Sequence, residues 1–120
     1  MNIRTGELVH TFLTAFAIIL VFAFLDYIAH SASVEYSVPP RYFPNKMLYG
    51  TFIGFAVLLA TKKQSVGVRS FAFSATVAVL LQIRYFLEGY PREFVLLFLV
   101  IHFVLIYASS RIILGKTRAV

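Results

Sequence analysis

Between Leu8 and Leu25 the chain runs for eighteen residues without an aspartate, glutamate, lysine or arginine. Nothing else constrains the fold as strongly. A hydrocarbon core asks about twenty predominantly apolar residues of a spanning helix. Three further apolar stretches follow, with charges gathered near their ends. The sequence therefore predicts four spanning helices at about residues 8–29, 46–61, 68–87 and 92–114. The second is short unless Tyr42 and Phe43 extend it, with Pro44 in the first turn, where a missing N–H is tolerated. The linkers read SASVEYSVPPRYFPNK, KKQSVG and GYPR, and the last two are short enough to join antiparallel neighbours. The expected fold is all-α: a polytopic membrane protein, residues 1–120 forming one antiparallel bundle of four transmembrane helices.

Composition agrees. At 60% hydrophobic and 13% charged, 120 residues carry too little charge to cover a soluble surface. The absence of cysteine excludes disulfides, thiolate metal sites and cysteine nucleophiles. The net charge of +6 comes from lysines and arginines spread along the chain at helix ends, and no basic run alternates with aromatics. Nucleic acid is therefore not an expected partner. Only Arg4 precedes the first apolar run, which is too long for a signal-peptide core, so that run is expected to stay as the first span.

The cationic residues set an orientation. Arg4, Lys62, Lys63, Arg69, Arg111, Lys116 and Arg118 fall on one side, and Arg41, Lys46, Arg84 and Arg92 on the other, seven against four. Positive charge is retained on the cytoplasmic side. Both termini and KKQSVG are thus expected in the cytoplasm, with the first linker and GYPR outside, in a multi-pass protein of the plasma membrane. Gly50 and Gly54 form a GxxxG pair, and Ser70, Ser74 and Ala78 form a small stripe at i, i+4, i+8. Such residues let helix backbones approach, either within this chain or against another membrane subunit. The tripeptide RYF recurs at Arg41 and Arg84, but beyond it the two halves share little more than scattered apolar residues, so it reads as chance.

Ionisable residues at membrane depth are costly and point to function. Those here are Asp26, His30, Arg84, Glu88 and His102, joined by the polar Gln82, with Glu7 and His10 at the opposite end. Asp26 and His30 lie one turn apart on one helix face, as do Arg84 and Glu88. At 1.5 Å per residue, Asp26 lies about 6 Å deeper than His30, level with Arg84, and His102 lies roughly 12 Å down. The simplest expectation is a structural ion-pair cluster of Asp26, Arg84 and Glu88, with Asp26 on Arg84 and either Glu88 or Tyr27 serving His30. It would fix helix register. A metal site is the second: Asp26 and His30 supply two ligands and His102 or Glu88 a third, a set suited to copper or zinc. A proton or cation path is the third, although only Thr11 and Thr14 offer polar groups between His10 and Asp26. The depths of His30 and His102 differ by about 10 Å, which sets them apart as haem ligands. There is no GxSxG, P-loop or HExxH motif, so the chain is not expected to be an enzyme by itself.

A cysteine-free chain of 120 residues and four spans, opening MNIRTGELVHTFLTAF and carrying DYIAH, resembles the small accessory subunit of archaeal ammonia monooxygenase, a copper membrane monooxygenase complex. The resemblance implies a non-catalytic subunit, integral membrane partners and copper in the complex. The larger C-type subunit of that family carries Asp-x-x-x-His and another histidine about a dozen residues on. Asp26 and His30 match the first part, and no histidine follows until His102. The function expected is thus a small non-catalytic accessory subunit of a membrane complex in contact with other subunits and lipid. The alternative is a stand-alone homo-oligomeric transporter or metal-binding membrane protein.

Overall fold

The chain is described over residues 4–118 by a computed structural model; the first three residues of the MNIRTGELV opening lie outside that range. Four helices make up nearly all of it: α1 (Thr5–Ser31), α2 (Tyr42–Ala60), α3 (Val66–Leu87) and α4 (Arg92–Arg118). One turn of 3-10 helix, Val34–Tyr36, interrupts the first linker. All four helices are long and apolar enough to cross a membrane. Helices α1 and α3 each pack on both α2 and α4, so the four close around one core. The bundle measures 46 × 22 × 20 Å, matching the roughly 40 Å expected of a 27-residue helix.

Local chemistry explains where the helices begin and end. Helix α2 starts four residues earlier than residue 46 because the carbonyls of Pro39 and Pro40 accept from the N–H groups of Tyr42 and Phe43, at 3.0 and 3.2 Å. Pro44 is the third helical residue, where no intrahelical N–H bond is lost. That early start carries Lys46 a full turn inside the helix. Helix α3 is capped by the Ser65 hydroxyl, which accepts from the Val68 N–H. It stops at Gly89, whose φ of 87° is open to glycine without strain. There the Gly89 N–H reaches Phe86 O at 3.1 Å and the Tyr90 N–H reaches Tyr85 O at 3.2 Å, closing the helix end.

The middle of the bundle is apolar. Ile18, Ile19 and Phe22 meet Leu58, Phe73, Val77 and Ile106, all buried. Small residues bring the helices together around them. A Cβ on Gly50 would lie 3.1 Å from Ile19 of α1, and one on Gly54 would lie 2.4 Å from the Phe73 ring of α3. Ser70, Ser74 and Ala78 are buried along α3. On α2 the buried side recurs every fourth residue as Tyr42, Lys46, Gly50, Gly54 and Leu58. A lysine therefore stands in register with the two glycines, facing the core.

Candidate functional site

Near the end of the bundle where α1 finishes and α2 begins, each helix contributes to one buried polar cluster. Asp26 and His30 come from α1, Lys46 from α2, Tyr85 from α3 and His102 from α4, all 3% exposed or less. The Lys46 ammonium donates to Asp26 Oδ2, and it also lies 3.2 Å from His30 Nε2 and 3.4 Å from His102 Nε2. It sits 5.3 Å from the centre of the Phe43 ring and 5.1 Å from that of Tyr85, at cation–π range. A charge inside an apolar bundle needs a partner and hydrogen bonds. Lys46 has both.

The imidazoles are oriented differently. His30 Nδ1 lies 2.6 Å from the Tyr36 carbonyl, which can only accept, so that nitrogen carries the proton. Its Nε2 then faces the cluster, 3.1 Å from the Tyr85 hydroxyl and 3.3 Å from Asp26 Oδ1. Phe98 stacks on the His30 ring with centroids 4.0 Å apart. His102 is fully buried, with Phe22 edge-on to its ring, and its Nε2 lies 2.9 Å from Asp26 Oδ1. Neither imidazole N–H is well aligned on that oxygen, and among the described residues His102 Nδ1 has no hydrogen-bond partner. Asp26 Oδ1 thus lies in ion-pair range of both rings without a well-aligned hydrogen bond.

Asp26, His30 and His102 each offer a ligand atom, all within 4.8 Å of one another. Metal bonds of about 2.1 Å place tetrahedral ligand atoms roughly 3.4 Å apart. The 2.9 and 3.3 Å edges at Asp26 Oδ1 are close to that spacing. His30 also shows the outer contact typical of a metal-bound imidazole, its far N–H held by a backbone carbonyl. The donor set fits a first-row transition ion.

Several expectations need correction. Asp26 pairs with Lys46, not Arg84. Arg84 turns outward, its Nε 3.3 Å from Glu88 Oε1 and its guanidinium 4.9 Å from the centre of the Tyr42 ring. Neither Arg84 nor Glu88 enters the cluster; Tyr36 and Tyr85 serve His30, while Tyr27 is exposed. The 10 Å depth gap between the histidines does not hold, since their ring centroids are 6.0 Å apart. Side chains lean toward the N-terminus of their own helix. Because α1 and α4 run in opposite directions, His30 leans into the bundle and His102 leans back to meet it. A haem still has no place between them, because Asp26 and Lys46 fill that space.

No known protein family, curated protein or solved structure matches this chain. What the site can do must be argued from its own atoms.

Proposed function

We propose that this chain is a small multi-pass protein of the plasma membrane that holds one divalent first-row transition-metal ion in the outer half of its bundle. The observation that carries this reading is the convergence of two imidazoles and one carboxylate, contributed by helices α1 and α4, in a sealed apolar setting. Two imidazoles and a carboxylate suit zinc, copper or iron(II). Asp26 Oδ1, which has no well-aligned donor, is the atom a metal would satisfy, together with the Nε2 atoms of His30 and His102 that face it. Transport through the bundle is a poorer fit. No aspartate, glutamate, histidine, lysine or arginine lies between the cluster and Glu7 or His10 at the other end. The hydroxyls of Thr14, Ser74, Ser109 and Ser110 bond to carbonyls of their own helices.

The orientation that puts this site outside rests on charge. With Lys46 taken into the bundle interior, seven cationic residues at the inner end face three, Arg41, Arg84 and Arg92, at the other. Metal analysis of the purified chain tests the reading. Wild type should hold about one ion per chain, and Asp26→Ala, His30→Ala and His102→Ala should each lose it. Equal metal content in all four would end the metal reading.

A second reading is favoured by the shortness of the connections between the four helices among the described residues. In it the chain is a non-catalytic accessory subunit of a larger membrane complex, of the ammonia monooxygenase kind that the sequence resembles. Exposed Phe24, Phe52, Phe71 and Phe86 would then meet neighbouring helices as readily as lipid. Stable comigration with unrelated chains after mild solubilisation supports it. A discrete species of this chain alone counts against it. The two readings are compatible, because a subunit can carry a metal.

A further inference from the structure

We propose that Lys46 is a built-in, displaceable counter-cation: its ammonium fills the metal position when no metal is bound, and must swing out before one can enter. The inference rests on the metal reading and goes beyond it, because it names what controls occupancy.

Three observations carry it. First, Lys46 Nζ reaches all three candidate ligand residues, donating to Asp26 Oδ2 and lying 3.2 and 3.4 Å from the two Nε2 atoms. A metal bonded to those same residues would lie within about 2.1 Å of their ligand atoms, in the space the ammonium now takes. Second, Asp26 is the only carboxylate in the cluster. One negative charge can balance one ammonium or part of a divalent ion, but not both side by side in a dry interior. Third, the lysine has somewhere to go. It stands one turn inside the start of α2, beside Arg41 and Tyr42 at the helix end. Four methylenes let a lysine so placed carry its charged head to the interface while the stem stays in apolar surroundings. Asp26 and His102, also buried, have shorter side chains without that reach.

This arrangement explains why a lysine occupies the stripe that otherwise holds Gly50, Gly54 and Leu58. Without a cation, the Asp26 carboxylate would be left charged and alone in an apolar core. Lys46 stabilises the metal-free bundle, and in doing so it competes with the metal. The site therefore takes a metal only when the gain from three ligands exceeds the loss of the Asp26–Lys46 pair.

The test uses the full chain in detergent micelles, with Zn²⁺ and Co²⁺ as probes. Two quantities are read at one fixed pH: Zn²⁺ affinity by calorimetry for wild type and Lys46→Met, and acetylation of the Lys46 amine in wild type by peptide mass mapping. The d–d absorption of Co²⁺ checks nitrogen and oxygen coordination in both proteins. Lys46→Met is expected to bind Zn²⁺ at least tenfold more tightly. In wild type, Lys46 should resist acetylation without metal and react once Zn²⁺ is saturating, while Lys62 and Lys63 react in both states. Equal or weaker binding by Lys46→Met overturns the inference, and weaker binding would mark the lysine as a ligand. Continued protection of Lys46 in the Zn²⁺-loaded wild type overturns it as well, and that measurement decides alone if Lys46→Met does not fold. Absence of binding by both wild type and a folded Lys46→Met refutes the metal reading itself and this inference with it.

Discussion

The Lys46 ammonium that pairs with Asp26 comes from another helix, twenty positions along the chain. Removing one member of a buried pair leaves an uncompensated charge and costs about 3–5 kcal/mol, whereas removing both costs much less. Lys46→Met alone should therefore destabilise the bundle strongly, and Asp26→Asn added to it should recover part of the loss. Denaturant titration in mixed micelles, read as a double-mutant cycle, measures the coupling. Arg84 supplies the contrast. Its ion pair with Glu88 is partly exposed, with side chains 31% and 34% accessible, and such pairs contribute about 0–1 kcal/mol. Arg84→Gln should cost little and add independently to Asp26→Asn. Strong coupling of Asp26 to Arg84, with none to Lys46, would reverse the assignment of the pair.

Close approach decides outcomes at the scale of the helix. Gly54→Ala places a methyl group 2.4 Å from the Phe73 ring, so α2 and α3 must part or the ring must shift. Overpacking of this kind costs about 1–3 kcal/mol, which exceeds the roughly 1 kcal/mol by which alanine is the better helix former. Gly115→Ala in α4 meets nothing within 4 Å and should be neutral or stabilising. Thermal unfolding of the two variants should therefore shift in opposite directions. Phe73→Leu combined with Gly54→Ala should destabilise by less than the sum of the two.

The same element explains what could be read from the sequence. The four helices were legible because membrane-length apolar runs have few other outcomes, and Gly50 and Gly54 were legible because small residues at that spacing let helices approach. Asp26, His30 and His102 stood out as ionisable residues in apolar runs. Lys46 did not, because a lysine at the edge of a span looks like an interfacial charge. The signal was present nonetheless: stepping back four residues from Gly50 lands on Lys46, and four more on Tyr42, along one buried stripe. The meeting of His30 with His102 was not legible from depth alone. It depends on opposite side-chain lean in antiparallel helices, which residue counting along an axis leaves out.

For the whole molecule, the distribution of charge makes a prediction about its direction in the membrane. Three of the five acidic residues are paired inside the chain: Glu7 with Lys62 at 2.6 Å, Asp26 with Lys46, and Glu88 with Arg84. Lys63, Arg111 and Lys116 add positive charge at the same end as Lys62, close to the helix ends where the positive-inside rule acts most strongly. That end should lie in the cytoplasm, and the linker carrying Ser37 outside. The natural absence of cysteine allows a direct test. Ser37→Cys and Gln64→Cys, made one at a time, each place a single thiol in an exposed connection. In intact cells a membrane-impermeant maleimide should label the Ser37→Cys chain and spare the Gln64→Cys chain until the membrane is opened. The reverse pattern would put the proposed metal site on the cytoplasmic side, where an ion would reach it from the cell interior. Labelling of both chains in intact cells would mean two coexisting orientations, and seven cationic residues against three would then be too weak a bias to set one.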